Sequence, residues 1–125
     1  MLPHILLVED NAFVIGALRL LLEETGHRVS DASSVAGAAR VLHADPPDVV
    51  LLDLTLGGED GLSLMSSIDA AGARRPVVVA LTGHDDPATF ERCAGAGCRT
   101  VLVKPIRPLE LKAQIATWLG ERAGS

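Results

Sequence analysis

Asp48-Val49-Val50-Leu51-Leu52-Asp53 is the stretch on which the fold turns, an unbroken apolar run held between two aspartates. A strand with one face in water alternates apolar and polar residues, whereas a strand covered by helices on both faces is apolar throughout. This run is of the second kind, and so is Val77-Val78-Val79-Ala80-Leu81. Both fall far short of the roughly 18 apolar residues of a membrane-spanning helix. They read as interior strands of a parallel sheet.

Outward from these two, the strand candidates are His4–Val8, Arg28–Asp31, Asp48–Asp53, Val77–Leu81 and Thr100–Val103. Helical stripes separate and follow them: Val14, Leu18, Leu21 and Leu22; Val35, Ala38, Ala39 and Leu42; Leu64, Met65 and Ile68; Phe90, Cys93 and Ala94; and Leu111, Ile115, Trp118 and Leu119. Asp86-Pro87 supplies an N-cap and a first-turn proline for the fourth helix. Gly26, Gly72 and Gly97 stand where left-handed C-caps are wanted. Gly124-Ser125 reads as a frayed end. A strand–helix alternation of this kind, repeated five times, predicts one α/β domain over residues 1–125, a (βα)5 doubly wound parallel five-stranded sheet.

Composition removes several function classes. The 125 residues carry 16 acidic and 11 basic side chains, a net charge of −5, and no dense Lys/Arg tract, which argues against direct nucleic-acid binding. Cys93 and Cys98 form a lone C-x4-C with scattered histidines, which does not make a zinc site. Their plain reading is two reduced thiols, Cys93 in the core and Cys98 exposed. With Phe13, Phe90 and Trp118 as its aromatics, the chain has no platform for stacking bases. Met1-Leu2-Pro3-His4 opens no secretory signal. The expectation is a cytoplasmic protein.

In open α/β sheets ligands bind beyond the carboxyl ends of the strands. Here the first strand ends in Glu9-Asp10, the third in Asp53, the fourth in Thr82 and the fifth in Lys104-Pro105. With strand order 2-1-3-4-5, Asp10 and Asp53 face each other at the switch point. Converging carboxylates repel unless a cation neutralises them, and a hard divalent ion such as Mg2+ suits carboxylate and carbonyl oxygens. Lys104 can pair with Asp53 or a phosphoryl group, and the Thr82 hydroxyl can bond a further oxygen. That set describes phosphoryl transfer by positioning and charge neutralisation. His84, two residues past Thr82, is either a further contact to the phosphoryl group or its attacking water, or a solvated loop histidine. Taken singly, Glu9-Asp10 could simply cap the helix near Asn11, and Asp53 and Thr82 could be turn residues. The ordered constellation is what points to chemistry.

These residues resemble the response-regulator receiver family over essentially the whole length. Ile5-Leu6-Leu7-Val8-Glu9-Asp10-Asn11 is similar to the family's first strand and acidic pair, and Val50-Leu51-Leu52-Asp53-Leu54 to its acceptor strand. Asp60-Gly61 looks like the glycine turn eight residues past the acceptor, and Thr82 and Lys104-Pro105 complete the set in order. The resemblance implies a flavodoxin-like sheet in the order 2-1-3-4-5. It further implies Asp53 as nucleophile toward a phosphohistidine of a sensor histidine kinase or histidine phosphotransfer protein. Mg2+ would be held by Asp10, Asp53, Glu9 directly or through water, and the Thr55 carbonyl. Lys104 would neutralise the phosphoryl charge, Thr82 would sense it, and the Lys104–Pro105 bond would be cis. Output would pass to a downstream protein through the face of the fourth helix, fifth strand and fifth helix, with a phosphorylation-dependent dimer as one form.

Three departures stand out. Val101 occupies the position where many members carry an inward-rotating Tyr or Phe. Gly57, within Gly57-Gly58, replaces a common proline, so that loop is expected to be mobile. Thr82-Gly83 forms a flexible hinge, and with Leu56-Gly57-Gly58 it resembles a subset without the aromatic switch. Competing readings are a phosphorelay intermediate or phosphate sink, a degenerate scaffold receiver, a haloacid-dehalogenase-type phosphatase, whose D-x-D normally follows the first strand, and a flavodoxin, for which the hydroxyl-rich phosphate loop is missing. On the leading reading the chain is a phospho-switch rather than a conventional enzyme, either free-standing or part of a larger regulator or hybrid kinase.

Overall fold

The computed structural model describes residues 2–123. Its strands are β1 (His4–Val8), β2 (Arg28–Ala32), β3 (Val49–Asp53), β4 (Val77–Thr82) and β5 (Thr100–Val103). The helices are α1 (Ala12–Glu24), α2 (Val35–Ala44), α3 (Met65–Asp69), α4 (Pro87–Ala96) and α5 (Pro108–Ala123). All neighbouring strands of the main sheet are parallel, in the order β2-β1-β3-β4-β5. The five parallel strands are those expected from the apolar runs, and the flavodoxin-like order is the one the family resemblance implies.

Burial follows position in the sheet. β1 and β3 are buried at every residue, whereas β2, at one edge, buries only Val29 and Ala32, and β5, at the other, is half-buried up to an exposed Val103. Successive side chains of a strand go to opposite faces, so the sheet separates two cores. Ile5, Leu7, Leu51 and Leu81 pack against α1 and α5, where Leu22, Ile115 and Trp118 meet them. Leu6, Val8, Val50 and Leu52 pack against Ala38, Leu64, Met65 and Ile68 on the other face. Leu51→Ala in such a site costs about 2–5 kcal/mol.

Strand ends differ from the expected bounds by one residue, for local reasons. Asp48 lies outside β3 because it clamps the sheet's lower edge: its N–H donates to the His4 carbonyl at 2.7 Å and its Oδ2 accepts the His4 N–H at 2.9 Å. Ala32 joins β2 opposite Val8, and Thr82 joins β4 opposite Val103.

The stripe assigned to α4 is corrected. Cys93 is buried, but Phe90 is 39% exposed and Ala94 is also exposed; Ala96 packs against the core instead. In a ten-residue helix rich in alanine and glycine, apolar periodicity does not fix the phase. The caps fix the helix's ends: Asp86 Oδ1 accepts the Thr89 N–H at 2.7 Å with Pro87 in the first turn, and Gly97 closes the helix at φ 99°.

That closure also explains the two cysteines. Cys98 N–H donates to the Cys93 carbonyl at 3.0 Å and Gly97 N–H to the Ala94 carbonyl at 3.1 Å. This is the Schellman pattern, whose usual apolar contact joins the two residues that are cysteines here. Cys98 is therefore half-buried, not exposed as expected. Gly26 and Gly72 also take positive φ. Gly124-Ser125 lies outside the described residues. No helix among the described residues is long and apolar enough to cross a membrane.

The segment after β3 folds back on itself. Thr55–Leu56 pairs antiparallel with Glu59–Asp60, and Gly57 and Gly58 turn the chain at φ 52° and 92°. Positive φ at both central residues is the type I′ signature, whose twist matches its flanking strands. The two glycines thus form the turn of a hairpin.

Candidate functional site

β1, β3, β4 and β5 end together and bring their terminal residues to one rim. Asp53, the last residue of β3, is only 4% exposed. Its Oδ1 accepts the Thr55 N–H at 2.9 Å, and its Oδ2 accepts from Lys104 Nζ at 2.7 Å. Glu9 is 1% exposed; its Oε1 accepts the N–H groups of Asp10 and Asn11 at 3.2 and 3.1 Å, and its Oε2 faces Lys104 Nζ at 3.3 Å. Asp10 is exposed, yet carboxylate oxygens of Glu9, Asp10 and Asp53 all lie within 4.8 Å of one another. The capping role weighed for Glu9-Asp10 falls to Asn11, whose Oδ1 accepts from Phe13 and Val14 N–H.

The electrostatics follow from that crowding. Burial pushes the Glu9 carboxyl upward, its hydrogen bond with Asp53 and that residue's charge push it further, and the Asn11 N–H and Lys104 offset only part. For Lys104, burial pulls downward, but the bonds and charges of Asp53 and Glu9 outweigh it and hold the ammonium above its ordinary value. One fixed cation therefore serves two buried carboxylates, with exposed Asp10 beside them.

Thr82 is 3% exposed at the end of β4, its Oγ1 accepting the His84 N–H at 3.0 Å and its carbonyl accepting the Lys104 N–H at 2.7 Å. His84 joins the site through its backbone, and the residue is exposed. The Lys104–Pro105 peptide is cis, as expected. Gly61 packs its backbone on the end of β3: its N–H donates to the Leu54 carbonyl at 3.0 Å, and an added Cβ would lie 2.2 Å from the Asp53 carbonyl oxygen. Val101 is half-buried on β5. Two features went unread in the sequence. The Gly57-Gly58 pair between Leu56 and Glu59 is a recognisable two-residue hairpin signal, whereas the 2.6 Å ion pair between Asp60 and Arg92 has no local sign.

A doubly wound parallel sheet with an acidic cluster and a lysine at its carboxyl rim defines an α/β class whose polar site lies beyond the strand ends. The family model for the response regulator receiver domain matches residues 5–116, and this chain belongs to that family. It is 30% identical over 121 residues to the transcriptional regulatory protein PhoP of Escherichia coli K12, covering 97% of this chain and 54% of that protein. It is 33% identical over 119 residues to the alginate biosynthesis transcriptional regulatory protein AlgB of Pseudomonas putida, covering 95% of this chain and 26% of that one. The chain thus spans about half, or a quarter, of these relatives. Among solved structures, a CheY-like receiver domain from Methanospirillum hungatei superposes with a TM-score of 0.91 at 21% identity, covering 99% of this chain and 98% of that one. The receiver domain of a sensor histidine kinase from Pseudomonas aeruginosa, described with magnesium coordinated in its active site cleft, has a TM-score of 0.84 at 31% identity, covering 96% of this chain and 99% of that one. The chain is a CheY-like receiver of two-component signalling.

Proposed function

We propose that this receiver is a phospho-switch in which Asp53 accepts a phosphoryl group from a phosphohistidine in a Mg2+-dependent reaction. The observation that carries the reading is Lys104 Nζ, 2.7 Å from Asp53 Oδ2, beside the Glu9 and Asp10 carboxylates. Hard oxygen donors gathered this closely fit Mg2+, and the raised Glu9 carboxyl is what a cation would relieve. Glu9, Asp10, Asp53 and the Thr55 carbonyl would hold the ion, which when bound supplies charge neutralisation at the phosphoryl oxygens.

The chain's own groups do the rest. An Asp53 carboxylate oxygen attacks phosphorus, the phosphorus–nitrogen bond breaks, and the donor imidazole departs. Lys104 stays against the acyl phosphate and offsets its added negative charge. Thr82, freed from the His84 N–H, turns its hydroxyl toward a phosphoryl oxygen, and His84 borders the path of attacking water. The donor is a histidine kinase or histidine phosphotransfer protein in the cytoplasm, and the target is a protein met through the α4, β5 and α5 face, with dimerisation as one form of output. Residues 1–125 act as one receiver domain. Val101, half-buried and aliphatic where an aromatic switch is usual, favours a second reading as a relay intermediate or phosphate sink.

Intact-mass analysis after incubation with acetyl phosphate or a phosphorylated histidine phosphotransfer domain, with and without Mg2+, tests this. A gain of one phosphoryl group that needs both Mg2+ and Asp53, and is lost in Asp53→Asn, is expected. No gain from either donor, or base-labile labelling that persists in Asp53→Asn, would overturn it.

A further inference from the structure

The hairpin that follows Asp53 is too small to hold its own shape. Its ladder has two rungs, Thr55 opposite Asp60 and Leu56 opposite Glu59, and of these four residues only Leu56 is buried. An isolated pair of strands is marginal in water even when longer. Two bonds reach it from opposite helices. Glu59 Oε1 accepts the Val35 N–H at 3.2 Å at the start of α2, and Asp60 Oδ2 accepts from Arg92 Nη2 at 2.6 Å on α4. The hairpin's tip borders the acidic cluster, since a Cβ added to Gly57 would lie 3.5 Å from Asp10 Oδ2. Its first residue, Thr55, already donates to Asp53.

We infer that Glu59 and the Asp60–Arg92 pair are positioning residues for the metal subsite, bracing from two helices the hairpin that presents the Thr55 carbonyl, and so setting Mg2+ affinity. The inference rests on the proposal that Mg2+ occupies the Glu9, Asp10 and Asp53 cluster. Exposed ion pairs contribute little to global stability. They count here because a segment with few buried contacts opens locally at small cost.

Arg92→Met is the decisive variant, because two explanations predict opposite signs. Through its charge alone, removing a cation near an acidic site tightens Mg2+ binding. Through positioning, removing the brace weakens it. Mg2+ titration calorimetry on the full chain should show Kd rising about two- to fivefold in Arg92→Met and in Glu59→Ala, with Arg92→Lys close to the parent. Amide exchange at residues 55–60 without Mg2+ should quicken in the first two variants while the urea midpoint stays put. Unchanged or tighter Mg2+ binding by Arg92→Met overturns the inference. Absence of Mg2+ binding by the unsubstituted chain overturns the underlying reading and takes the inference with it.

Discussion

Gly61 and Asp53 touch backbone to backbone: a Cβ at Gly61 would sit 2.2 Å from the Asp53 carbonyl oxygen. Gly61 is required for closeness rather than for an unusual φ, as it is absent from the positive-φ glycines. Gly61→Ala must push the end of β3 aside. It should lose about 1–3 kcal/mol, the usual cost of overpacking, in urea unfolding. A variant as stable as the parent would mean that the strand end yields freely.

Glu9 should make the cation-free protein less stable as pH rises through the weakly acidic range. Its folded carboxyl is raised from 4.5, by burial first and then by Asp53. Above 4.5 and below the raised value, the native state holds a proton that the unfolded chain has released, so the contribution is full below 4.5 and is lost on going up. Glu9→Gln keeps an oxygen for the Asp10 and Asn11 N–H groups and removes that titration. In divalent-free buffer, its stability relative to the parent should climb from pH 4.5 upward and then level. Urea midpoints at a series of pH values check this, and parallel profiles would count against it.

The sheet and the rim of the site were legible for one reason. An apolar run on an interior strand fixes its end to within a residue, so Val8, Leu52 and Leu81 announced Glu9, Asp53 and Thr82. What escaped depended on distance or on a weak phase. Phe90 fits an apolar stripe in the sequence yet lies outward, while Cys93 on the same helix turns inward. Asp60 and Arg92 are 32 residues apart and meet only because α4 passes beside the hairpin that follows β3. Gly57 and Gly58 were read for their freedom, but the antiparallel partners on either side use that freedom to close a turn.

The two thiols should resist modification in the native protein. Burial pushes the Cys98 thiol up to about 12, and Cys93 is raised as well, chiefly by burial. Thiolate is the reactive form, so at pH 8 little is present. Ellman's reagent should react slowly with the folded chain and rapidly with both cysteines in urea. Rapid stoichiometric reaction without denaturant would show that the Schellman contact at the end of α4 opens readily.

Lys104→Met should expose how far one ammonium holds the site together. Its Nζ lies between Asp53 Oδ2 and Glu9 Oε2, and without it two nearly buried carboxylates confront each other unpaired. The expected loss at neutral pH is about 1–3 kcal/mol, the penalty for leaving a buried polar group unsatisfied. It should shrink as pH falls and Glu9 takes up its proton. Mg2+ should restore more stability to this variant than to the parent, because the ion no longer competes with Lys104 for the same oxygens and a ligand that favours the folded state stabilises it by mass action. Thermal unfolding across a Mg2+ series reads both effects, and equal Mg2+ gains in variant and parent would show that lysine and metal occupy separate oxygens.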